Sequence, residues 1–171
     1  MPFSTPALYR YGFIIICCLS FNSLTVHAFT TKNNLAVSAV VPAKVQLSTS
    51  PMNFGTVPTT KNTLARATAS ITINMVATQV YHITLDAGQH KLGSRRMRNA
   101  VGNTIAYDLY QNTAYTTAWG DSGYGNTFTA GNALASTGTG QNQVFTVYGQ
   151  LQALPTQAGN FSDTITVTVH Y

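Results

Sequence analysis

Phe161-Ser162-Asp163-Thr164-Ile165-Thr166-Val167-Thr168-Val169-His170-Tyr171 alternates with a period of two. Phe161, Asp163, Ile165, Val167, Val169 and Tyr171 fall on one side. Ser162, Thr164, Thr166, Thr168 and His170 fall on the other. Successive side chains of a strand point to opposite faces, so this is a strand with one face on a core and one in water. Asp163 is the one polar residue on the inward side.

The same period recurs upstream. Residues 67 to 76 set Ala69, Ile71, Ile73 and Met75 against Ser70, Thr72 and Asn74. Tyr81, Ile83 and Leu85 alternate with His82, Thr84 and Asp86, and Ala87-Gly88 closes that run. Residues 103 to 111 carry Ile105, Tyr107 and Leu109, and residues 143 to 151 carry Phe145, Val147 and Gly149. Thr, Val, Ile, Tyr and Phe are common, and Gly and Asn interrupt them at short intervals. This is the composition of an all-β sandwich or barrel of short strands. The segment from Trp119 to Gly140, rich in Gly, Asn, Ser and Thr, is expected to form long loops around a short strand near residues 126 to 130.

The 171 residues suggest one domain. The first 28 read as an export signal, with Arg10 in a positive n-region, Phe13 to Leu19 as an apolar h-region and Val26-His27-Ala28 as the cleavage site. The apolar run from Tyr11 to Phe21 is about half the roughly 20 residues that a spanning helix needs. Cys17 and Cys18 both lie in that segment, so the mature chain enters an oxidising compartment without a thiol. Packing and backbone pairing must supply its stability.

Charge is sparse, with 9 Lys and Arg, 4 Asp and no Glu. Arg95, Arg96 and Arg98 concentrate the positive charge. A basic cluster can bind nucleic acid or acidic glycans, but no nucleic-acid module surrounds this one, and a solvated loop accounts for it. Catalysis would have to draw on Asp86, Asp108, Asp121, Asp163, His82, His90 and His170. Asp86 before Ala87-Gly88, and Asp163 after Gly159-Asn160, have the look of turn residues. Paired-carboxylate chemistry would need two of four scattered aspartates. The histidines lack tight metal-ligand spacing, and Gly120, Gly123 and Gly125 lack the context of a phosphate loop. Neither an enzyme, nor a metal, nor a cofactor is expected. Tyr107, Tyr110, Tyr115, Trp119 and Tyr124 could stack on sugars, but they serve equally as core or as cover for one end of the sandwich.

The start of the mature chain is the anomaly. Phe29 to Asn34 is polar. Leu35-Ala36-Val37-Ser38-Ala39-Val40-Val41 then alternates, with Leu35, Val37, Ala39 and Val41 on one side, and Pro42 ends it because proline cannot donate to a ladder. This is either the first strand of the chain's own sheet or a strand that inserts into a neighbour by β-strand addition. Periodicity does not choose between them.

Several motifs, in order, resemble the spore coat protein U domain family, which includes subunits of archaic chaperone–usher pili. They are Asn53-Phe54-Gly55-Thr56, Tyr81 to Gly88, Arg96-Met97-Arg98-Asn99, Tyr107-Asp108-Leu109-Tyr110, Val147-Tyr148-Gly149-Gln150 and Gly159 to Tyr171. The resemblance covers roughly residues 35 to 171. It implies an immunoglobulin-like β-sandwich of the pilin type, incomplete because it lacks its last strand. A periplasmic chaperone fills the gap, and the next subunit's N-terminal extension replaces it at an outer-membrane usher. On that resemblance residues 29–43 are the extension and 44–171 the sandwich. Leu35, Val37, Ala39 and Val41 are the donor side chains, with register open by one residue. Phe161, Ile165, Val167, Val169 and Tyr171 line one wall of the acceptor groove. The product would be a surface fibre of like or unlike subunits, serving adhesion or biofilm formation; a secreted carbohydrate- or surface-binding module is the alternative. One departure stands out. Members of the family usually carry a cysteine shortly after the donor segment and another in the second strand. The matching places here are near Val45 and at Met75, which are expected to pack apolar surface instead.

Overall fold

The computed structural model describes residues 36–39, 44–60, 64–124 and 131–171. The export signal, Leu35, Val41 and the strand expected near 126–130 lie outside them. The chain divides into two units, Met1–Ala39 and Val40–Tyr171. Of the first, residues 36–39 form no strand and are exposed, Val37 to 86%.

The second unit holds nine strands among its described residues: β1 (Gln46–Thr49), β2 (Arg66–Asn74), β3 (Val80–Leu85), β4 (Arg95–Arg98), β5 (Thr104–Tyr110), β6 (Trp119–Ser122), β7 (Leu134–Thr137), β8 (Asn142–Leu151) and β9 (Val167–His170). One antiparallel sheet runs β1-β2-β8-β5-β4 and the other β7-β3-β9. The two sheets make an all-β sandwich, and their inward side chains form one core. Ile71, Ile73, Met75, Tyr81, Ile83, Leu85, Ile105, Leu109, Val147 and Leu151 are buried in it, each where alternation places it.

The structure corrects three expectations. Arg95, Arg96 and Arg98 belong to β4 and not to a solvated loop, and Arg95 is 1% exposed. Alternation along four residues was masked there by the charge itself. The loops expected between Trp119 and Gly140 contain β6 and β7, each four residues long and too short to show a period. Thr84, on the face expected to be wet, is 1% exposed; it shares β3 with a buried neighbour on either side, and its hydroxyl donates to Thr168 O at 3.4 Å.

The first strand among the described residues is β1. It pairs with β2 in the register Gln46↔Asn74, Leu47↔Ile73. Extended by one residue, that register sets Val45 opposite Met75. Both pack into the core, Met75 with no exposed surface. Directly opposed residues of an antiparallel pair have Cα atoms about 4.5–5.5 Å apart, inside the range a disulfide spans. A V45C/M75C double variant, made with Cys17 and Cys18 replaced by Ser, is therefore expected to oxidise to an internal disulfide without catalysis, seen as loss of both free thiols in the monomer. Its oxidised form should be about 3 kcal/mol more stable to urea than its own reduced form. Persistence of two free thiols under oxidising conditions would mean that the register stops at Gln46.

Candidate functional site: an open cleft between two sheet margins

Each sheet ends on a strand paired on one side only among the described residues. β1 pairs with β2, and β9 pairs with β3. Between these margins lies a cleft of about 370 Å³. Its floor is apolar: Ile71, Leu85, Tyr107, Leu109 and Val147. One wall is Thr49 to Met52 with Phe54, and the other is Phe161 to Ile165 with Val167. The first wall continues β1, since Ser50 N donates to Ser70 O at 2.9 Å. Gly149 makes that wall possible. A Cβ there would strike Met52 Sδ and approach Phe54 Cζ to 3.0 Å, so only hydrogen lets the two side chains lie across β8.

The opposite wall alternates as its sequence does. Phe161, Asp163, Ile165, Val167 and Val169 are half-buried, while Ser162, Thr164, Thr166 and Thr168 are exposed. Phe161, Ile165 and Val167 line the cleft. Val169 packs against the core but does not reach the cleft, and Tyr171 is 61% exposed. Of the proposed donor side chains only Val37 and Ala39 are described, both exposed in the first unit.

Residues 162–170 are bonded along one edge. Ser162 exchanges backbone bonds with Arg98, at 2.9 and 3.1 Å. Asp86 N donates to Thr166 O at 3.1 Å, and Thr166 N donates to Asp86 Oδ1 at 2.9 Å. β9 then follows β3, with Leu85↔Val167 and His82↔His170 in register. Asp163, the polar exception on the inward face, is the pin. Its Oδ2 accepts from the Tyr107 hydroxyl at 2.7 Å and its Oδ1 from Gln89 N at 3.0 Å. Gly88, at φ +79°, passes so close that a Cβ would meet the Asp163 carboxylate. Asp86 Oδ1 also accepts from Gly88 N at 2.9 Å, closing an Asx turn.

Buried Arg95 braces this turn from below. Its Nε donates to Asp86 O at 2.8 Å, its Nη2 to Leu85 O at 2.9 Å and its Nη1 to Asp108 Oδ1 at 3.2 Å. Burial draws the Arg95 guanidinium below its usual pKa, and Asp108 pulls it back up. Burial, reinforced by the Asp163 carboxylate, raises the Tyr107 phenol well above its ordinary value. Three of the aspartates weighed for catalysis thus have structural partners, and the fourth, Asp121, is buried in β6. No group of three or more His, Cys, Asp or Glu that could hold a metal occurs among the described residues.

The sequence profile of the Spore Coat Protein U domain matches residues 31–168. The chain belongs to the Spore Coat Protein U domain family. No curated protein matches its sequence. Among solved structures it resembles a chain in the crystal structure of the CsuC–CsuE chaperone–tip adhesion subunit pre-assembly complex from archaic chaperone–usher Csu pili of Acinetobacter baumannii. The TM-score is 0.57 at 20% identity, over 77% of this chain and 40% of that one. At that identity the likeness is one of fold, and this Spore Coat Protein U domain protein spans less than half of the chain it resembles.

The motifs that carry the family resemblance converge on the cleft. Tyr81 to Gly88 supplies the turn, Tyr107-Asp108 the pin's donor and the arginine's partner, and Gly149 the room for Phe54. Sequence reasoning missed the wall of Met52 and Phe54 and the role of Arg95. The signal for the first was present: a phenylalanine in a Gly- and Asn-marked loop, and an inward-facing glycine in a strand.

Replacing Tyr107 by Phe removes a hydrogen bond to a charged acceptor and should cost about 1.5–3 kcal/mol in urea unfolding at neutral pH. Its pH dependence has a definite sign. The folded-state pKa of Tyr107 is raised, so its contribution is complete below about pH 10 and is lost as pH rises further. The wild type should lose stability above about pH 10 with a slope that Y107F lacks, up to about 1.4 kcal/mol per pH unit. Equal alkaline slopes in the two proteins would show that Tyr107 does not hold its proton for Asp163.

Proposed function

We propose that this protein is a structural subunit of a chaperone–usher surface fibre that assembles by donor-strand complementation. The observation that carries the reading is the open apolar cleft between the margins of β1 and β9, each paired on one side only among the described residues. Such margins invite pairing with any free strand. An inserted strand would continue both ladders with its backbone and fill the cleft with alternate side chains. The extension, residues 29–43, has the matching pattern in Leu35, Val37, Ala39 and Val41. Phe161, Ile165 and Val167 present the complementary row along the sandwich domain of residues 44–171, and Val169 and Tyr171 continue its alternation beyond the cleft. Family membership supports the fibre, and the likeness to a chaperone–subunit complex supports a periplasmic chaperone as first occupant of the cleft, with an outer-membrane usher as the site of exchange.

The energetics suit a long-lived fibre. Burying four aliphatic side chains contributes on the order of 5–10 kcal/mol gross, and ordering the extension consumes much of it. Durability then rests on slow withdrawal of a strand embedded in a folded domain. The contact is head-to-tail, and it propagates into an open filament. Export by residues 1–28, surface location and a part in adhesion or biofilm formation follow from this reading. Catalysis has no place in it.

Deletion of residues 35–41 tests the proposal. The shortened protein should be markedly less stable alone, regain stability when a peptide of residues 29–43 is added, and form no fibres in electron micrographs. A shortened protein that is fully stable by itself and indifferent to the peptide would show that its sheets are already complete.

A further inference from the structure

The face of β2, β8 and β5 turned away from the core carries a second arrangement. Tyr148 and Tyr110 are cross-strand partners on β8 and β5. Tyr115, from the loop after β5, reaches back between them, with ring centroids 5.6 Å from Tyr110 and 6.2 Å from Tyr148, both near-perpendicular. Arg66 of β2 lies over the Tyr115 ring, its guanidinium carbon 4.1 Å from the centroid. Its cross-strand neighbour Gln150, with the amide oxygen turned toward it, accepts from Nε and Nη2 at 3.2 Å each. Gln152 Nε2 donates to the Tyr110 hydroxyl at 3.0 Å. The three rings are half-buried and Arg66 is exposed.

Two features set this patch apart from ordinary surface packing. Tyr115 has φ +56°, a left-handed conformation that a residue with a large side chain seldom adopts. The loop holds it there: the Asn112 side chain accepts from Thr116 N and Thr117 N at 3.1 and 3.2 Å, and Gln111 N donates to Thr117 O at 2.9 Å. Backbone strain of this kind concentrates at ligand-contacting positions. The second feature is charge. The ion pair among the described residues is Arg95–Asp108, and Arg66 has a ring and an amide where a carboxylate partner would otherwise stand. Asp108 lies in the same cross-strand row as Arg66 but two strands away, about 10 Å, and its carboxylate is engaged by Arg95.

From this geometry we infer that Arg66 and the Tyr110–Tyr115–Tyr148 cluster form a binding site for an acidic saccharide. A pyranose ring presents C–H faces that stack on tyrosine and hydroxyls that meet the phenols and glutamine amides. A carboxylate on that sugar would take the outward donors of a guanidinium already oriented by Tyr115 and Gln150, with little ordering cost left on the protein side. The site uses outward side chains of the larger sheet, so it stays available whether or not a strand fills the cleft.

Isothermal titration of the full chain with trigalacturonate, maltotriose and tripolyphosphate tests the inference. Trigalacturonate should bind, and the neutral trisaccharide and the non-sugar polyanion should bind at least about tenfold more weakly. R66Q and Y115A should each weaken trigalacturonate binding about tenfold or more, with unchanged circular dichroism and unchanged fibre formation. R98Q, which removes an exposed arginine on β4, should leave binding as it was. Absence of trigalacturonate binding overturns the site. Equal binding of tripolyphosphate reduces it to a bare cation, and equal binding of maltotriose removes the role of Arg66; either result also overturns it. Failure of the unmodified chain to form fibres while trigalacturonate still binds would count against the assembly reading alone.

Discussion

A strand at the margin of a sheet must be anchored by one edge if its other edge is to remain free, and in this domain the anchor is polar. The segment from Ser162 to His170 is bonded to β4, to the 86–89 turn and to β3, all on one side. Asp163 is its fixed point, received by a buried phenol and a backbone N–H. Behind the turn, Arg95 ties two carbonyls of the β3 end to Asp108 of β5 and so links the two sheets where the cleft opens. Breaking a buried charged pair by removing one partner costs about 3–5 kcal/mol. The Asp163 carboxylate and the Arg95 guanidinium thus hold the same 86–89 turn from two sides, and the apolar row from Phe161 to Val167, packed against the core, keeps its place along the cleft.

This division of labour explains why so few charges are kept and where they stand. A chain without Glu and without a cysteine after Cys18 has little polar chemistry to spend on structure. All of its aspartates are half-buried or buried, and three of them hold the turn or brace it. Val45 and Met75 occupy the margin between β1 and β2 with packed apolar surface. That margin flanks the cleft, and the wall formed by Thr49 to Phe54 is held by strand pairing, by the Ser50 hydroxyl that accepts from Ser70 N, and by the room that Gly149 leaves.

Much of the fold could be read from the sequence, and the limits were physical. β2, β3, β5 and β8 are long enough to show a period of two, β9 shows it because the alternation already runs from Phe161, and their inward residues pack in or against the core. β4, β6 and β7 have four residues each and carry no period. Arg95 was unreadable for another reason: a buried arginine differs from a solvated one only in what it meets, and its partners lie 9, 10 and 13 positions away. Phe161, Ile165 and Val167, which line the cleft, follow the alternation, yet alternation alone cannot say where a wall ends. Tyr171 continues the pattern and is exposed.

The two faces of the larger sheet show how one short domain can hold two recognition surfaces without conflict. Inward residues of β2, β5 and β8 build the floor of the cleft, and outward residues of the same strands carry Arg66, Tyr148 and Tyr110. Because side chains alternate strictly, a change on one face leaves the other in register. A fibre built by strand insertion would cover only the inward surface and the two margins. Every subunit along it would then present the same outward aromatic patch at a fixed repeat. Weak binding at each patch would be summed along the filament by effective concentration rather than strengthened at any single site.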